Sequence, residues 1–221
     1  MAIRPNIPRT SEAKLQHILR HAAHIFAEQG FEGASIRDLS RASGISLSGL
    51  YYYFESKQKL LFLIQREVFA SVLRRLQEHL SGLDSPEDRL RVFVHNHIEY
   101  FLTHPAEMKV LAHEDDKLAD PYRKQVAAIR RRYYNLAREI FEALPLRDSV
   151  PAFNPRVAVL SLYGMMNWVY KWHNPKVDPG ASDLAESVSN IFLHGVTNSS
   201  GSQQTETNLQ SISLDRAGAA D

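Results

Sequence analysis

No cysteine occurs among the 221 residues, which excludes a disulfide framework, a thiolate zinc site, an iron–sulfur cluster and a thiol redox sensor. Sulfur chemistry is limited to four methionines. Long apolar runs are missing as well: no stretch approaches the roughly 18 consecutive apolar residues of a membrane span. The opening MAIRPNIPRT has no apolar segment of the kind that directs secretion. Neither sign of charge dominates, with 26 Lys and Arg against 25 Asp and Glu. The expectation is a soluble, cytoplasmic protein. What the chain does have is 44% apolar residues, enough at this length for a sizeable core in one large domain or two smaller ones. Its charge is uneven. Residues 1–60 carry eight Lys and Arg against five Asp and Glu, and the remainder eighteen against twenty. A mildly basic front is too weak a signal to establish a nucleic-acid partner, but it marks that half for inspection.

Leu15, Ile18, Leu19, Ala22 and Phe26 recur at helical spacing and predict a helix from about Thr10 to Gln29, closed by a left-handed Gly30. Ser35 followed by Asp38 has the capping-box pattern for a short helix from Ile36 to Ser43 that stops at Gly44, and Ser46 can cap a third from Leu47 to Tyr53. After Ser56 a helix of about six turns carries Leu60, Ile64, Val68, Val72, Leu76 and Leu80 on one face. Ser85-Pro86, Asp120-Pro121 and Asn154-Pro155 each open a further helix, proline being favoured at the first helical position. The first has the stripe Leu90, Phe93, Val94, His97 and Phe101 and ends at His104-Pro105, followed by a short apolar segment from Met108 to Leu111. The second has Val126, Ile129, Tyr133, Leu136, Ile140 and Leu144 on one side and ends at Pro145. The third, to His173, is apolar around nearly its whole circumference and must be buried on more than one side. A last helix runs from Ser182 to His194. Residues 1–9 are expected as a flexible arm, and residues 197–221, rich in Ser, Thr, Gln and Asn, as a disordered tail. With no strand pattern and no internal repeat, the fold class is all-α.

Three short helices, the last two joined by a glycine-containing turn, make a helix-turn-helix, whose second member lays its N-terminal residues in a major groove. Ser46, Ser48 and Gly49 are small enough to let that backbone approach DNA, and Tyr51 and Tyr52 offer hydroxyls to phosphate oxygens. Lys57, at the positive end of the long helix, could meet the same phosphate. The alternative for this spacing alone is a small helical module with an aromatic surface. The residue strings decide between them. Gly30-Phe31-Glu32-Gly33-Ala34-Ser35-Ile36-Arg37-Asp38-Leu39, then Ala42-Ser43-Gly44-Ile45-Ser46, then Gly49-Leu50-Tyr51-Tyr52-Tyr53-Phe54-Glu55-Ser56-Lys57-Gln58-Lys59-Leu60-Leu61 closely resemble the TetR family of bacterial repressors over residues 11–62. Ser35 in place of the usual threonine, Leu39 in place of isoleucine, and a third tyrosine at Tyr53 are the departures. The resemblance implies a DNA-binding domain over residues 10–56 and a helical ligand-binding and dimerisation domain over residues 57–196. It implies phosphate contacts at Ser35, Tyr51, Tyr52 and Lys57, and a base-reading region at Arg37, Ser46, Leu47, Ser48 and Gly49. Arg37 is the expected base reader, since its fork matches the two acceptors of guanine. Arg4 and Arg9 could enter a minor groove, although a solvated terminus suits them better.

The resemblance also implies a homodimer, with the Pro155–His173 and Ser182–His194 helices building a four-helix interface and the two recognition helices reading a palindromic operator. Asn167 to Trp172, the Asn174-Pro175 linker and Ile191 to Gly195 further resemble TetR-type repressors that answer to acyl-CoA thioesters of fatty-acid, sterol or aromatic-acid breakdown. Such an effector needs an apolar slot and cations for phosphates. Helical geometry puts Arg130 and Arg132 on the shoulders of the Val126–Tyr133–Ile140 stripe and Arg131 towards solvent. Tyr133, Met165, Trp168 and Trp172 are the expected pocket walls. The bland alternatives are core packing for these side chains and, for the arginines, a charged face whose stems cover apolar surface. A multidrug-responsive regulator and a constitutive dimeric DNA-binding protein are the rival functions. Neither a catalytic site nor a metal site is expected, and no cofactor beyond the effector. His113, Glu114, Asp115 and Asp116 diverge by about 100° per residue on a helix, and His17 and His21 share a face without a carboxylate and are expected to be solvated. No Walker loop, HExxH, GxSxG or dinucleotide fingerprint is present.

Overall fold

The computed structural model describes residues 10–145 and 154–196, and every regular element among them is helical. The expected arm at residues 1–9 and tail at residues 197–221 lie outside the described residues. No described helix is long and apolar enough to cross a membrane.

Helix α1 (Ser11–Gly33) starts where Thr10 accepts the Ala13 N–H at 3.2 Å. It buries Ile18, Leu19, Ala22, Ala23 and Phe26. Gly30 interrupts it with φ 73° and ψ 161°, a conformation open to glycine because a Cβ would clash with the backbone. The chain does not stop there as expected. Its ψ is extended rather than left-handed, so a further turn follows and tucks the Phe31 ring against Phe26, centroids 5.5 Å apart. α2 (Ile36–Ser43) begins with the expected reciprocal capping box between Ser35 and Asp38 and ends on Gly44 at φ 71°, ψ 12°. α3 (Leu47–Tyr51) is capped by Ser46 and is two residues shorter than expected. Its end frays without unravelling, because the Tyr53 and Phe54 amides still return to the Leu50 carbonyl.

α4 (Lys57–Leu80) carries the chain from this head into the body. The body comprises α5 (Pro86–Thr103), α6 (Pro105–His113), a short 3-10 turn (Asp115–Lys117), α7 (Tyr122–Glu142), α8 (Pro155–Trp172) and α9 (Ala181–Val196). α6 replaces the expected short apolar segment. Pro105 ends α5 but also has the φ a first helical turn requires, so one residue is both stop and start. One continuous apolar cluster runs from α1 to α9. On α8, Ala158, Val159, Leu162, Met166 and Val169 are buried, while Val157, Leu160, Trp168 and Trp172 are exposed in the single chain, Trp168 to 62%. Ile191 of α9 is exposed beside them in kind, at 65%.

Candidate nucleic-acid surface and ligand cavity

On the head, Leu47, Tyr51 and Tyr52 are exposed, Tyr52 to 80%, although apolar and aromatic side chains are ordinarily withdrawn from water. Ser46 and Ser48 hydroxyls lie 3.2 Å apart at the start of α3, and Ser46 Oγ accepts the Gly49 N–H at 3.2 Å. Gly49 is closely packed: a Cβ there would sit 3.0 Å from the Ile45 methyl and 3.2 Å from Ser46 Oγ, so those side chains would have to shift. Ser46, Gly49, Tyr52 and Tyr53 line a groove of about 470 Å³ with Lys14 of α1. Lys14 was not marked by sequence reasoning, since nothing in its own helix points to the α3 surface. Arg37 is exposed at the first turn of α2.

Two of the expected phosphate contacts already have partners. The Ser35 hydroxyl donates to Asp38 at 2.6 Å, and that bond, with the Arg41 guanidinium behind it, holds the Asp38 carboxyl below the usual carboxylate range. Lys57 Nζ donates to the carbonyls of Glu32 at 3.3 Å and Ala34 at 3.2 Å and lies 4.6 Å from the centre of the Phe31 ring. It clamps the restarted end of α1 onto α4. The histidines expected to be solvated are instead half-buried: His17 Nε2 lies 3.1 Å from the Ser43 carbonyl, and the His17 and His21 rings are 4.5 Å apart. They tie α1 to the turn of the helix-turn-helix, and burial, then the charge of His17, lowers the His21 pKa.

In the body, α4, α5, α6, α7 and α8 surround a cavity of about 970 Å³. Phe69, Val72, Phe101, Met108, Leu111 and Leu160 make it apolar. Of the expected walls, Tyr133, Trp168 and Arg130 lie on it, whereas Met165, Trp172 and Arg132 do not. Met165 packs sideways against the core, and Trp172 stands on the outer face of α8. The arginine assignment changes because the cavity opens over one shoulder of α7 only, the one bearing Ala127, Arg130, Arg131 and Tyr134 at one-turn spacing. Arg131, expected to point to solvent, is on the wall. Arg130 and Arg131 from α7 and Arg156 and Lys171 from α8 are all exposed at the cavity, and among the described residues no Asp or Glu lines it.

Deep in the wall is a polar group that sequence reasoning placed in the core stripe. His97, 3% exposed, has Nδ1 3.2 Å from the Tyr133 hydroxyl and Nε2 3.0 Å from Asn167 Oδ1. Burial lowers its pKa to about 4, against a smaller opposing effect of the Asn167 hydrogen bond. A histidine at a core position of an apolar stripe is a signal that could have been read, since an imidazole there requires a polar partner on a facing helix.

The acidic cluster after α6 disperses. His113 Nε2 lies 3.1 Å from the Tyr170 hydroxyl, Glu114 turns inward, and Asp116 pairs with Lys117. Among the described residues no group of three such side chains could hold a metal ion. Glu114 joins the two halves of the molecule: Oε1 accepts the Phe31 N–H at 3.0 Å, and its carbonyl accepts from Gln65 Nε2 at 3.0 Å. The helix that walls the cavity with Met108 and Leu111 therefore ends on the turn after Gly30.

Residues 18–64 match the family described as "Bacterial regulatory proteins, tetR family", and residues 83–196 match "Tetracyclin repressor-like, C-terminal domain". The transcriptional repressor KstR2 of Mycolicibacterium smegmatis is 23% identical over 201 residues, covering 89% of this chain and 97% of that one. A TetR-family regulator from Bordetella parapertussis has a similar structure, with TM-score 0.73 and 30% identity over 81% of this chain and 93% of that one. AibR, solved in complex with isovaleryl coenzyme A and operator DNA, superposes with TM-score 0.70 and 24% identity, covering 80% of this chain and 96% of that one.

Proposed function

The chain belongs to the TetR family of DNA-binding transcriptional regulators, and from that premise we propose a homodimeric repressor that an acyl-CoA thioester releases from a palindromic operator. The observation that carries the effector is the cavity. Its interior is mainly apolar, and its exposed side bears Arg130, Arg131, Arg156 and Lys171. That combination suits a ligand with an apolar acyl group at one end and the phosphates of coenzyme A at the other, since guanidinium forks pair with phosphate oxygens. A cationic drug would meet like charges at Arg131, Arg156 and Lys171. AibR, whose fold is similar, binds isovaleryl coenzyme A.

The second copy covers the exposed stripe of α8, Val157, Leu160, Trp168 and Trp172, together with Ile191 of α9. Large apolar side chains exposed in one row lose most when left in water, and a two-fold pairing buries them on both copies. It also sets two α3 helices about one DNA turn apart. In the head, Arg37 reads bases, Ser46, Leu47, Ser48 and Gly49 bring the α3 backbone to the groove, and Ser35, Tyr51, Tyr52 and Lys57 meet phosphates.

Release requires that the ligand bind the DNA-incompetent arrangement better, because equal affinity for both arrangements shifts nothing. The route available is α6: a ligand pressing on Met108 and Leu111 moves the helix whose following residue, Glu114, holds the Phe31 amide. The test is the dissociation constant of the purified protein for DNA from its own promoter region, at fixed salt, with and without a panel of acyl-CoA thioesters. The expected result is a loss of at least about tenfold with one thioester, or 1.4 kcal/mol. Binding that no thioester alters refutes the effector, and absence of any DNA binding refutes the operator assignment.

A further inference from the structure

His97 and Asn167 form a directional pair. A neutral imidazole has one N–H, and Asn167 Oδ1 can only accept, so the 3.0 Å contact assigns the hydrogen to Nε2. Nδ1 must then accept, and the Tyr133 hydroxyl, 3.2 Å away, donates to it. The chain runs Tyr133 O–H to Nδ1 of His97, then Nε2–H to Oδ1 of Asn167. Its direction fixes the amide: with Oδ1 held at the buried imidazole, Nδ2 is turned away from it. Asn167 lines the cavity, and among the described residues its side chain makes a hydrogen bond through Oδ1 alone, the one with His97. Each link also polarises the next, so an amide whose oxygen accepts is a better donor at its nitrogen.

We propose that Asn167 Nδ2 donates a hydrogen bond to a carbonyl oxygen of the bound ligand, with His97 as the positioning residue that holds the amide in register. Asn167 thereby becomes a specificity-determining residue of a cavity whose interior is mainly apolar. The inference rests on the acyl-CoA reading of the cavity. The carbonyl can be that of the thioester itself or an oxo group on the acyl chain. Burial keeps His97 neutral, with a pKa lowered to about 4, so the direction of the chain holds at physiological pH.

The experiment is calorimetric binding to the full-length protein of three probes: octanoyl-CoA, its thioether S-octyl-CoA, which lacks the carbonyl, and 3-oxooctanoyl-CoA. The variant is Asn167→Asp, which keeps an oxygen to accept from His97 Nε2 but has no donor. The expected result is that wild-type protein prefers octanoyl-CoA to the thioether by about tenfold and that Asn167→Asp binds the two alike, which assigns the thioester carbonyl. If the thioether matches octanoyl-CoA while the 3-oxo compound binds about tenfold tighter and loses that gain in Asn167→Asp, the acyl oxo group is the partner. His97→Leu should erase the same preference even where it still melts cooperatively. A merely repulsive new carboxylate would weaken all three probes equally. That outcome, with the wild type unable to tell the probes apart, overturns this inference and leaves the effector reading standing. Failure of all three to bind overturns both.

Discussion

The head and the body of this molecule are built by different means. In the head, one long and two short helices are held by side-chain caps at Thr10, Ser35 and Ser46 and by glycines at positions 30 and 44. In the body, the helices are held by packed aromatic and aliphatic side chains, and the cavity is assembled from five of them. Caps and turns are local, costing about 1 kcal/mol each when removed, whereas a core ring touches several helices at once. The head thus owes its surface to a few residue types at fixed spacing, and the body owes its cavity to volumes that no short string of residues encodes.

The comparison breaks most readily at Phe93. It is fully buried on α5, with ring centroids 5.2 Å from Tyr133 and 5.8 Å from Tyr163. Phe93→Ala should cost about 3–5 kcal/mol in denaturant unfolding. A loss below 1 kcal/mol would mean that the body collapses around the missing ring and does not depend on packing as argued.

A somewhat smaller effect should separate the halves by pH. The folded-state pKa of His97 is about 4, against 6.5 for the free side chain. Because the folded value is the lower one, the unfolded chain takes up the proton first as pH falls, so stability is complete above about 6.5 and declines towards 4. The loss over that window is about 3 kcal/mol. Asp38 and Asp120, whose pKa values are also lowered, contribute in the same sense but at lower pH: their stabilisation is complete above 3.8 and is lost only below it. Stability measured from pH 7 to pH 4.5 should therefore fall, and His97→Gln should flatten the slope by close to one proton, leaving the weaker contribution of His21, also lowered. An unchanged slope would show that His97 is not the group being titrated.

The same contrast explains what was legible beforehand. Ser35 and Asp38, Gly44 and Ser46 announce helix boundaries because a cap requires a particular atom at a particular offset. The exposed tyrosines of α3 could be named for the same reason. α6 was hidden by Pro105, which satisfies the rule for a helix end and the rule for a helix start. Arg131 was assigned to solvent because the apolar stripe of α7 marks the side facing the core, and the cavity sits to one side of it. Asn167 has no motif of its own; its role follows from a histidine 70 residues earlier in the chain. Glu114, two halves of the molecule away from any sequence signal, was read only as part of an acidic cluster.

The smallest effect is expected where the two building modes meet. Lys57 is the first residue of α4, yet its ammonium serves the head, donating to the Glu32 and Ala34 carbonyls beside the Phe31 ring. An ammonium has three N–H donors, so two committed to carbonyls leave one for a phosphate. Lys57→Ala should therefore do two things at once. It should lower the stability of the protein by about 1 kcal/mol, since the Phe31 turn loses its clamp but keeps the Glu114 hydrogen bond. It should also reduce the slope of log affinity for DNA against log salt by about 0.9, one phosphate contact, and weaken binding to all sequences alike. Measuring both in the same variant decides what kind of residue it is. A stability loss with the salt slope intact makes Lys57 a clamp and moves the phosphate contact to Tyr51, Tyr52 or Lys14; a changed slope with unchanged stability makes the two carbonyl contacts incidental. Only the joint change means that the residue closing α1 also reports to DNA whether α1 is closed.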